Sequence, residues 1–396
     1  MIHYFNPGHE TAVLSGSPFY QATANQRKIQ EDLAYLPAWY AGPNDFVLTG
    51  ESSTDEFRDS IASLNPMAQA ITFQNRNTGE WEHGITELWG ISPAAIHTLK
   101  KQSQQHQFQW DIPIWKDDYR SLGSRHTAQE CLRFLMDMIP EIDTNLLPVF
   151  FSDILELENY LVQQTEKQVV KAPFSSSGRG LFWLSPTPLL QSEKQIIRGI
   201  LKKQSAVSIE KALEKQLDFS LHFTIHPEQT VDFSGYSVFR TNGKGAYEHS
   251  LLASQEVLQQ QIHSLIDEKL LSKVKKQLQI FIQKKYAPIY QGTLGVDLLI
   301  YRSGDSFHLH PCVEINMRKS MGYLAIQLAN RHLCAGSQGA FFVSYDPHPG
   351  AIYLKHKEMH NQYPLIVHNK CIRSGYLALC PVRPESRYWA YLLCSH

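Results

Sequence analysis

The chain has 396 residues, of which 43% are hydrophobic, and its 37 Lys and Arg residues nearly balance its 38 Asp and Glu residues, for a formal net charge of -1. This length exceeds that of one ordinary hydrophobic core, so we expect two or three packed domains. The near-neutral charge argues against nucleic-acid binding as the main task, because contact with a phosphate backbone usually requires an excess of basic residues.

The sequence also bears on localisation. Residues 1–7 contain neither a basic region nor a long apolar run, so they do not resemble a signal peptide. No stretch approaches the roughly 18 consecutive apolar residues that a membrane helix needs. None of the six cysteines lies in a C-x-x-C pair, and we interpret them as mostly buried thiols of a reducing compartment. We therefore expect a cytoplasmic protein that does not bind membranes.

Hydrophobic periodicity and turn residues predict a mixture of helices and strands. The predicted strands are residues 2–5, 46–48, 71–73, 168–172, 181–184, 206–210, 219–225, 236–240, 295–301 and 307–315. The predicted helices are residues 26–36, 127–138, 155–164, 254–285 and 321–331. The alternation before residue 115 is typical of a small α/β lobe, and the tail from about residue 340 is rich in strands.

A lysine in an apolar strand precedes a loop rich in Ser and Gly. Lys171 lies in the run 168–172, and residues 175–180 contain three serines, two glycines and Arg179. A buried lysine is costly unless an anion meets it, and glycines let backbone N–H groups approach a phosphate closely. The pattern fits a phosphate-binding loop and an ordinary hairpin tip equally well. Neither a P-loop nor a Rossmann glycine motif is present.

Two predicted strands carry oxygen ligands. Glu314 and Asn316 point to one face of their strand because side chains alternate, and Asp297 lies on the preceding strand. Pairing the two strands requires a β-bulge near Pro311. Two carboxylates and an amide oxygen suit Mg²⁺, or Mn²⁺, bound jointly with nucleotide phosphates. The alternative is an acidic surface or a structural ion pair between Glu314 and Arg318.

A third polar group surrounds the end of the strand at residues 206–210. Glu210 and nearby backbone groups would meet the polar edge of adenine, and Asp218 would accept hydrogen bonds from ribose hydroxyls. Taken alone, this pattern is better explained by surface charge. The eighteen histidines include no H-E-x-x-H motif, so a zinc site explains them less well than surface or hydrogen-bonded histidines do. His308 and His310 share a strand face beside the proposed metal ligands.

Together, the order and spacing of these groups resemble the ATP-grasp superfamily, which includes D-alanine–D-alanine ligase, biotin carboxylase and carbamoyl phosphate synthetase. The resemblance covers residues 122–329, and residues 314–318 are similar to the E-x-N-x-R motif of several members. It implies an α/β and α+β protein in which two α+β subdomains clamp ATP, preceded by a small α/β N-terminal lobe. The implied divisions are the N-terminal lobe 1–115, the lid subdomain 116–205, the metal-binding catalytic subdomain 206–340 and a strand-rich extension 341–396.

The resemblance also implies roles for matching residues. Lys171 and Arg318 are the expected catalytic residues, with Lys171 at the phosphates and Arg318 at the acyl-phosphate site. The expected ATP-binding residues are Arg125, Lys171, Ser175, Ser176, Ser177, Gly178, Glu210, Lys211, Leu213 and Asp218. The expected metal ligands are Asp297, Glu314 and Asn316. Gly295 stands where some ligases have an arginine, so a close copy of the D-alanine ligase mechanism is not expected.

We therefore expect an ATP- and Mg²⁺-dependent ligase that activates a small-molecule carboxylate as an acyl phosphate for attack by an amine or another nucleophile. A small-molecule kinase of the same fold, a nucleotide-binding protein without turnover, a partner that modifies a macromolecular carboxylate and an accidental match remain alternatives. The sequence leaves the substrates open, and the oligomeric state open between monomer and homodimer.

Residues 5–12 form a further candidate for substrate binding. They follow the first predicted strand, where α/β sheets present ligand-binding loops, and they include His9 and Glu10. The alternative is a plain strand–helix turn with a capped helix start.

Overall fold

The computed structural model describes residues 1–50, 54–64, 69–72, 80–175, 180–184, 188–243 and 245–395. The strands described there are β1 (Ile2–Tyr4), β2 (Phe46–Thr49), β3 (Gln69–Thr72), β4 (His83–Leu88), β5 (Gln109–Asp111), β6 (Val149–Phe151), β7 (Gln168–Lys171), β8 (Leu181–Trp183), β9 (Val207–Lys211), β10 (Glu214–Ile225), β11 (Val231–Thr241), β12 (Tyr247–Leu252), β13 (Gly292–Ser303), β14 (Ser306–Asn316), β15 (Gln338–Tyr345), β16 (Ile366–His368), β17 (Cys371–Ala378) and β18 (Tyr388–Ser395).

The α-helices of the same residues are α1 (His9–Ser15), α2 (Ala24–Asp32), α3 (Asp55–Ile61), α4 (Pro93–His106), α5 (Asp118–Leu122), α6 (Arg125–Met138), α7 (Ile154–Val162), α8 (Gln191–Gln204), α9 (Gln255–His263), α10 (Glu268–Lys285), α11 (Met321–His332) and α12 (Ala351–Gln362). Short 3₁₀ helices lie at Leu36–Trp39, Glu80–Glu82 and Thr144–Leu146. None of the described helices has the length and apolarity that crossing a membrane requires.

The chain forms two compact units. The first unit comprises Met1–Lys116, Glu248–Leu258 and Arg318–His396, and the second comprises Asp117–Tyr247 and Gln259–Met317. The expected boundaries at residues 205/206 and 340/341 fall inside these units. The four-part division therefore stays a prediction about subdomains.

The first unit begins with a parallel sheet whose strand order is β3-β2-β1-β4-β5. Strand β1 pairs in parallel with both β2 and β4, so the loops after β1 and β4 leave the same edge of the sheet. Helix α2 starts with a capping box between Thr23 and Gln26. The helix predicted at residues 26–36 ends at Asp32, and a 3₁₀ helix with Pro37 in its first turn follows.

The C-terminal segment completes the core of the first unit. Strands β12, β15, β18, β17 and β16 are neighbours in that order, and the β15–β18 pair is antiparallel. Phe5 and Trp39 of the N-terminal region share one buried cluster with Phe341 and Leu392 of the C-terminal region. The strand-rich tail was therefore predicted correctly, whereas helix α12 within it was not predicted.

Two of the six cysteines form a disulfide, contrary to the prediction of free thiols. Cys334 and Cys371 form a disulfide that links the residues after α11 to the start of β17. The other four cysteines are free and buried, as expected. Cys334 and Cys371 are 37 residues apart in the sequence, and this spacing did not indicate the disulfide, which depends on the tertiary position of β17.

The second unit contains two groups of antiparallel strands. One is a four-stranded sheet in the order β6-β9-β7-β8, and the other has β14, β13, β10 and β11 as successive neighbours. The predicted hairpins β7–β8 and β13–β14 both form. Val170 and Ile209 of the four-stranded sheet pack with Leu157 of α7 and Ile197 of α8 in one buried cluster. Each sheet thus buries one face against helices and can offer polar residues elsewhere.

The single long helix predicted at residues 254–285 is wrong, because the structure divides it into α9 and α10. Helix α9 ends at His263, and α10 begins at Glu268. The Asp267 carboxylate caps α10 by accepting hydrogen bonds from the N–H groups of Lys269 and Leu270 at 2.7 and 3.1 Å. The apolar spacing continues across the break, with buried Ile262 and Ile266, so periodicity did not reveal it.

Replacing Trp39 tests how strongly the C-terminal segment stabilises the first unit. Its side chain is fully buried, and its indole N–H donates to the Leu379 carbonyl at 2.7 Å. We expect Trp39→Ala to lower the free energy of unfolding by about 3–5 kcal/mol, because it leaves a cavity and an unpaired carbonyl. Urea unfolding followed by circular dichroism measures the change.

Leu354→Ala is the control, because Leu354 lies on α12 of the same unit with 69% of its surface exposed. We expect that substitution to change stability by less than about 0.5 kcal/mol. Equal losses in the two variants would contradict a shared core between the N- and C-terminal regions.

Candidate functional site

The three predicted metal ligands lie together on β13 and β14 of the second unit. Asp297 stands directly opposite Glu314, and the Asn316 amide donates to Asp297 Oδ2 at 2.9 Å. The strand register shifts immediately after Asp297, which confirms the bulge predicted near Pro311. Two carboxylates and an amide on one sheet face are the oxygen ligands that Mg²⁺ prefers, so the residues fit this ion.

The metal set is nevertheless incomplete by itself. Nowhere in the described part of the chain do three His, Cys, Asp or Glu side chains gather as metal ligands do. A magnesium ion held by Asp297, Glu314 and Asn316 would need further oxygen atoms, which nucleotide phosphates and water supply in nucleotide-binding enzymes.

Arg125 lies at the start of α6 and contacts both strand groups of the second unit. Only 8% of the residue is exposed. Its guanidinium donates to the Ala172 carbonyl at 3.1 Å, to the Val313 carbonyl at 3.4 Å and to Glu314 Oε2 at 2.9 Å. It also lies 3.4 Å from the Ser175 hydroxyl. Arg125 thus joins the chain after β7 to the strand that carries Glu314 and neutralises this carboxylate.

Lys171 and Glu210 form a buried ion pair in the four-stranded sheet, with side chains 9% and 11% exposed. Lys171 lies on β7 and Glu210 on the neighbouring strand β9. Burial alone would raise the pKa of Glu210, but Lys171 and then Arg125 lower it, so Glu210 is ionised at neutral pH. The anion expected beside Lys171 is therefore present within the protein, and contact of Lys171 with phosphates stays a prediction.

His310 lies beside this ion pair. The residue is 4% exposed, and burial lowers its pKa to about 4, with Glu210 raising it and Lys171 lowering it. The imidazole is therefore neutral at pH 7 and adds no charge to the site. His308 instead stacks on Tyr301, with ring centroids 5.6 Å apart. Of the two histidines on this strand, only His310 faces the site.

Asp218 is held by two side chains that the sequence did not reveal. Its Oδ2 atom accepts hydrogen bonds from Lys215 Nζ at 2.7 Å and from Thr241 Oγ1 at 3.0 Å. Lys215 reaches Asp218 because the register of β10 shifts between Lys215 and Leu217. Without that irregularity, residues three apart on a strand point to opposite faces.

Most of the predicted residues line one cavity of about 300 Å³ in the second unit. These are Arg125, Lys171, Glu210, Lys211, Leu213, Asp218, Asp297 and Glu314. Apolar walls that the sequence did not indicate come from Leu146, Val169, Leu181, Trp183, Phe239 and Leu299. Apolar surface suits a planar base, and the charged residues suit phosphates, so the cavity combines the two chemistries that a nucleotide requires.

The remaining predicted residues lie elsewhere. Ser176, Ser177 and Gly178 fall outside the described residues. Ser175 and Asn316 do not line the cavity, but they contact Arg125 and Asp297, which do.

Arg318 belongs to the first unit, where it pairs with a residue of the N-terminal candidate segment. Its Nε atom contacts Glu10 Oε1, and its guanidinium also donates to the Lys319 carbonyl at 3.0 Å. Lys319 Nζ lies 2.5 Å from Glu87 Oε1, and His3 Nδ1 lies 2.7 Å from Glu87 Oε2. Burial alone would raise the pKa of Glu87, but Lys319 and His3 lower it to about 2. The sequence indicated neither pairing, because the partners are far apart along the chain.

Comparison with known proteins gives a structural match only. No protein-family model matches the sequence, and no curated protein matches it in sequence. N5-carboxyaminoimidazole synthetase from Staphylococcus aureus, complexed with ADP, aligns with a TM-score of 0.50 and 12% identity over 100% of this chain and 92% of that chain.

Two further solved structures align less closely. Biotin carboxylase from Campylobacter jejuni has a TM-score of 0.49 and 10% identity over 100% of this chain and 87% of that chain. N5-carboxyaminoimidazole ribonucleotide synthetase from Thermus thermophilus has a TM-score of 0.47 and 13% identity over 99% of this chain and 93% of that chain. The Staphylococcus aureus alignment shows that this chain has the ATP-grasp fold, which confirms the predicted fold class.

A double-mutant cycle tests the Lys171–Glu210 pair. We expect Lys171→Met alone to lower the free energy of unfolding by about 3–5 kcal/mol, because it leaves a buried carboxylate without its cation. Glu210→Gln should also destabilise the protein. The double variant should lose less than the sum of the two single variants, because neither charge then remains unpaired. Urea unfolding of all four proteins gives the coupling energy.

Lys273→Met is the matched control for this cycle. Lys273 pairs with Glu141 at 2.5 Å, but the two side chains are 54% and 48% exposed, so little change is expected. Additive losses at Lys171 and Glu210 would mean that the two side chains do not stabilise each other.

Proposed function

We propose that this chain is an ATP- and magnesium-dependent ligase that activates a small carboxylate as an acyl phosphate and transfers the acyl group to an amine or another nucleophile. The observation that carries the proposal is that Lys171, Arg125 and the carboxylates of Asp297 and Glu314 line one cavity. The Staphylococcus aureus synthetase of the same fold was determined with ADP, which supports a nucleotide as the ligand here.

The base and ribose of ATP would occupy the less charged part of the cavity. Leu213 and Trp183 supply apolar surface for adenine, and the chain between β9 and β10 supplies backbone groups for its polar edge. The Ala212 N–H already donates a hydrogen bond to the Lys167 carbonyl at 2.8 Å. Adenine would therefore bind the backbone groups of the residues next to Ala212. Asp218, fixed by Lys215 and Thr241, would accept hydrogen bonds from the ribose hydroxyls.

The phosphates would lie between the buried cations and the metal ligands. Asp297, Glu314 and Asn316 would hold magnesium, which supplies positive charge to the β- and γ-phosphate oxygens when bound. Arg125 keeps Glu314 in place through the 2.9 Å contact. Lys171, now paired with Glu210, would extend the same ammonium group toward a phosphate oxygen. These fixed charges would stabilise the negative charge that develops as the phosphoryl group moves.

The reaction then has two steps. An oxygen of the substrate carboxylate attacks the γ-phosphorus, the bond from this phosphorus to the bridging oxygen breaks, and ADP leaves with the electron pair. The nucleophile next attacks the acyl carbon, and inorganic phosphate leaves. Arg318, two residues after Asn316 in the sequence, is our candidate for contact with the acyl phosphate.

We also propose that the substrates are small molecules and that the protein acts in the cytoplasm without nucleic-acid or membrane partners. The net charge of -1 and the cavity of about 300 Å³ support small ligands over an extended polyanion.

Trapping with hydroxylamine tests the proposed chemistry, because hydroxylamine converts an acyl phosphate into a stable hydroxamate. We expect the protein to form hydroxamate and ADP from Mg·ATP and at least one member of a panel of small carboxylates. Asp297→Asn should reduce the rate by about 10²–10³-fold, because it weakens magnesium binding and so removes positive charge from the site of phosphoryl transfer. Coupled ADP release and hydroxamate absorbance measure the two products.

Asp305→Asn is the control, because Asp305 is a fully exposed carboxylate in the turn between β13 and β14. It should leave the rate unchanged. If ADP is released in the presence of hydroxyl compounds and no carboxylate yields a hydroxamate, the protein is a kinase instead. If a nonhydrolysable Mg·ATP analogue does not raise the melting temperature, the proposal that the protein binds a nucleotide is contradicted.

A further inference from the structure

The loops after β1 and β4 are locked together at the carboxyl edge of the parallel sheet. The Asn6 amide donates to the Gly90 carbonyl at 2.6 Å, and the Gly90 N–H donates back to Asn6 Oδ1 at 3.1 Å. A Cβ atom at Gly90 would lie 2.5 Å from the His9 ring, so the absence of a side chain there lets His9 pack against the loop. Residues 6–10 are thereby held at the edge where α/β sheets bind ligands.

His9 presents a buried hydrogen-bond acceptor at this edge. The residue is 5% exposed, and its Nε2 atom lies 3.1 Å from the Ile91 carbonyl. Because a carbonyl only accepts, Nε2 carries the proton. Burial lowers the pKa of His9 to about 4, so the ring is neutral at pH 7 and Nδ1 carries a lone pair. That Nδ1 atom is buried and has no hydrogen-bond partner.

Glu10 presents a second acceptor. Its Oε1 atom pairs with Arg318, whereas its Oε2 atom is buried without a partner. Burial alone would raise the pKa of Glu10, but Arg318 and then His9 lower it, so the group is ionised. An unpaired buried acceptor is destabilising, because it has lost its hydrogen bonds to water and gained none in the protein. Two such atoms on consecutive residues indicate a place where a ligand supplies the donors.

The neighbouring ion pair shows what a purely structural arrangement looks like. Glu87 of β4 pairs with Lys319, the residue after Arg318, and its second oxygen contacts His3 at 2.7 Å. Both Glu87 oxygens therefore have partners, whereas Glu10 keeps one oxygen unpaired. The buried, unpaired oxygen of Glu10 therefore differs from the carboxylate of Glu87, which is 33% exposed and has partners for both oxygens.

We propose that His9 Nδ1 and Glu10 Oε2 receive the N–H groups of a primary amine or ammonium substrate. The proposal rests on the ligase function, in which the neutral amine is the nucleophile, so a bound ammonium group must first lose one proton to solvent. Two acceptors, one of them anionic, would repel a carboxylate. A hydroxyl or thiol group has one hydrogen to donate and could satisfy only one of the two acceptors. An ammonium group offers three donors and a positive charge. The amine class thus follows from the two acceptors.

Binding is tested without turnover by comparing methylammonium chloride with tetramethylammonium chloride at equal ionic strength. The two cations carry the same charge, but tetramethylammonium has no N–H donor. We expect methylammonium to raise the melting temperature of the unmodified protein above its value in tetramethylammonium. Equal melting temperatures in the two salts would overturn the proposal and leave an enclosed water as the occupant.

Two variants locate the effect. Glu10→Gln should abolish the difference between the salts, and Glu87→Gln, which removes a paired carboxylate that is 33% exposed, should preserve it. His9→Phe, which removes the second acceptor, serves the same purpose if Glu10→Gln does not fold. A difference between the salts that persists in Glu10→Gln or His9→Phe would place amine binding elsewhere and overturn the proposal.

Turnover separates this proposal from the ligase function. With methylamine as nucleophile, Glu10→Gln should raise KM for the amine by about 10–100-fold, the loss of one charged hydrogen bond, and Glu87→Gln should not. An unchanged KM alongside normal hydroxamate formation would overturn the amine site alone. Absence of hydroxamate from every carboxylate would instead count against the ligase function, and the comparison of the two salts would still decide on amine binding.

Discussion

The contact between the two strand groups of the second unit depends on the buried guanidinium of Arg125. A guanidinium carries five N–H donors in a fixed plane, so it can bond two carbonyls and a carboxylate at once. Here those groups are the Ala172 carbonyl after β7, the Val313 carbonyl on β14 and Glu314 itself. A lysine could not replace this planar arrangement. Because Arg125 joins the two strand groups, Lys171 and the carboxylates of Asp297 and Glu314 come to line the same cavity.

Paired buried charges recur in both units. Lys171 with Glu210, Arg318 with Glu10 and Lys319 with Glu87 each remove a charge from water and compensate it locally. Such pairs contribute little net stability, because desolvation offsets the attraction. Stability alone therefore does not explain these pairs. We propose ligand contact for the Lys171–Glu210 and Arg318–Glu10 pairs, whereas the Lys319–Glu87 pair is structural.

The sequence predicted features that depend on local spacing. Asp297, Glu314 and Asn316 could be grouped because strand alternation gives the face on which each side chain lies. The turn between the two apolar runs gives the register of the two strands, apart from one bulge. The partners of Lys171 and Arg318 could not be predicted, because they depend on the pairing of β7 with β9 and on the position of Glu10. The packing of Phe341 against Trp39 was hidden for the same reason. The break before α10 could have been predicted, because Asp267 is a residue type that commonly caps a helix. The continuous apolar spacing obscured this cap.

The central claim is that Lys171 and the oxygen ligands of β13 and β14 act on one triphosphate. A crystal structure with a nonhydrolysable ATP analogue and Mn²⁺, located by its anomalous signal, tests this claim most directly. We expect the metal to contact Asp297, Glu314 and Asn316, and the Lys171 ammonium to lie within about 3 Å of an oxygen of the same triphosphate. A triphosphate bound at the metal while Lys171 remains out of its reach would contradict the account.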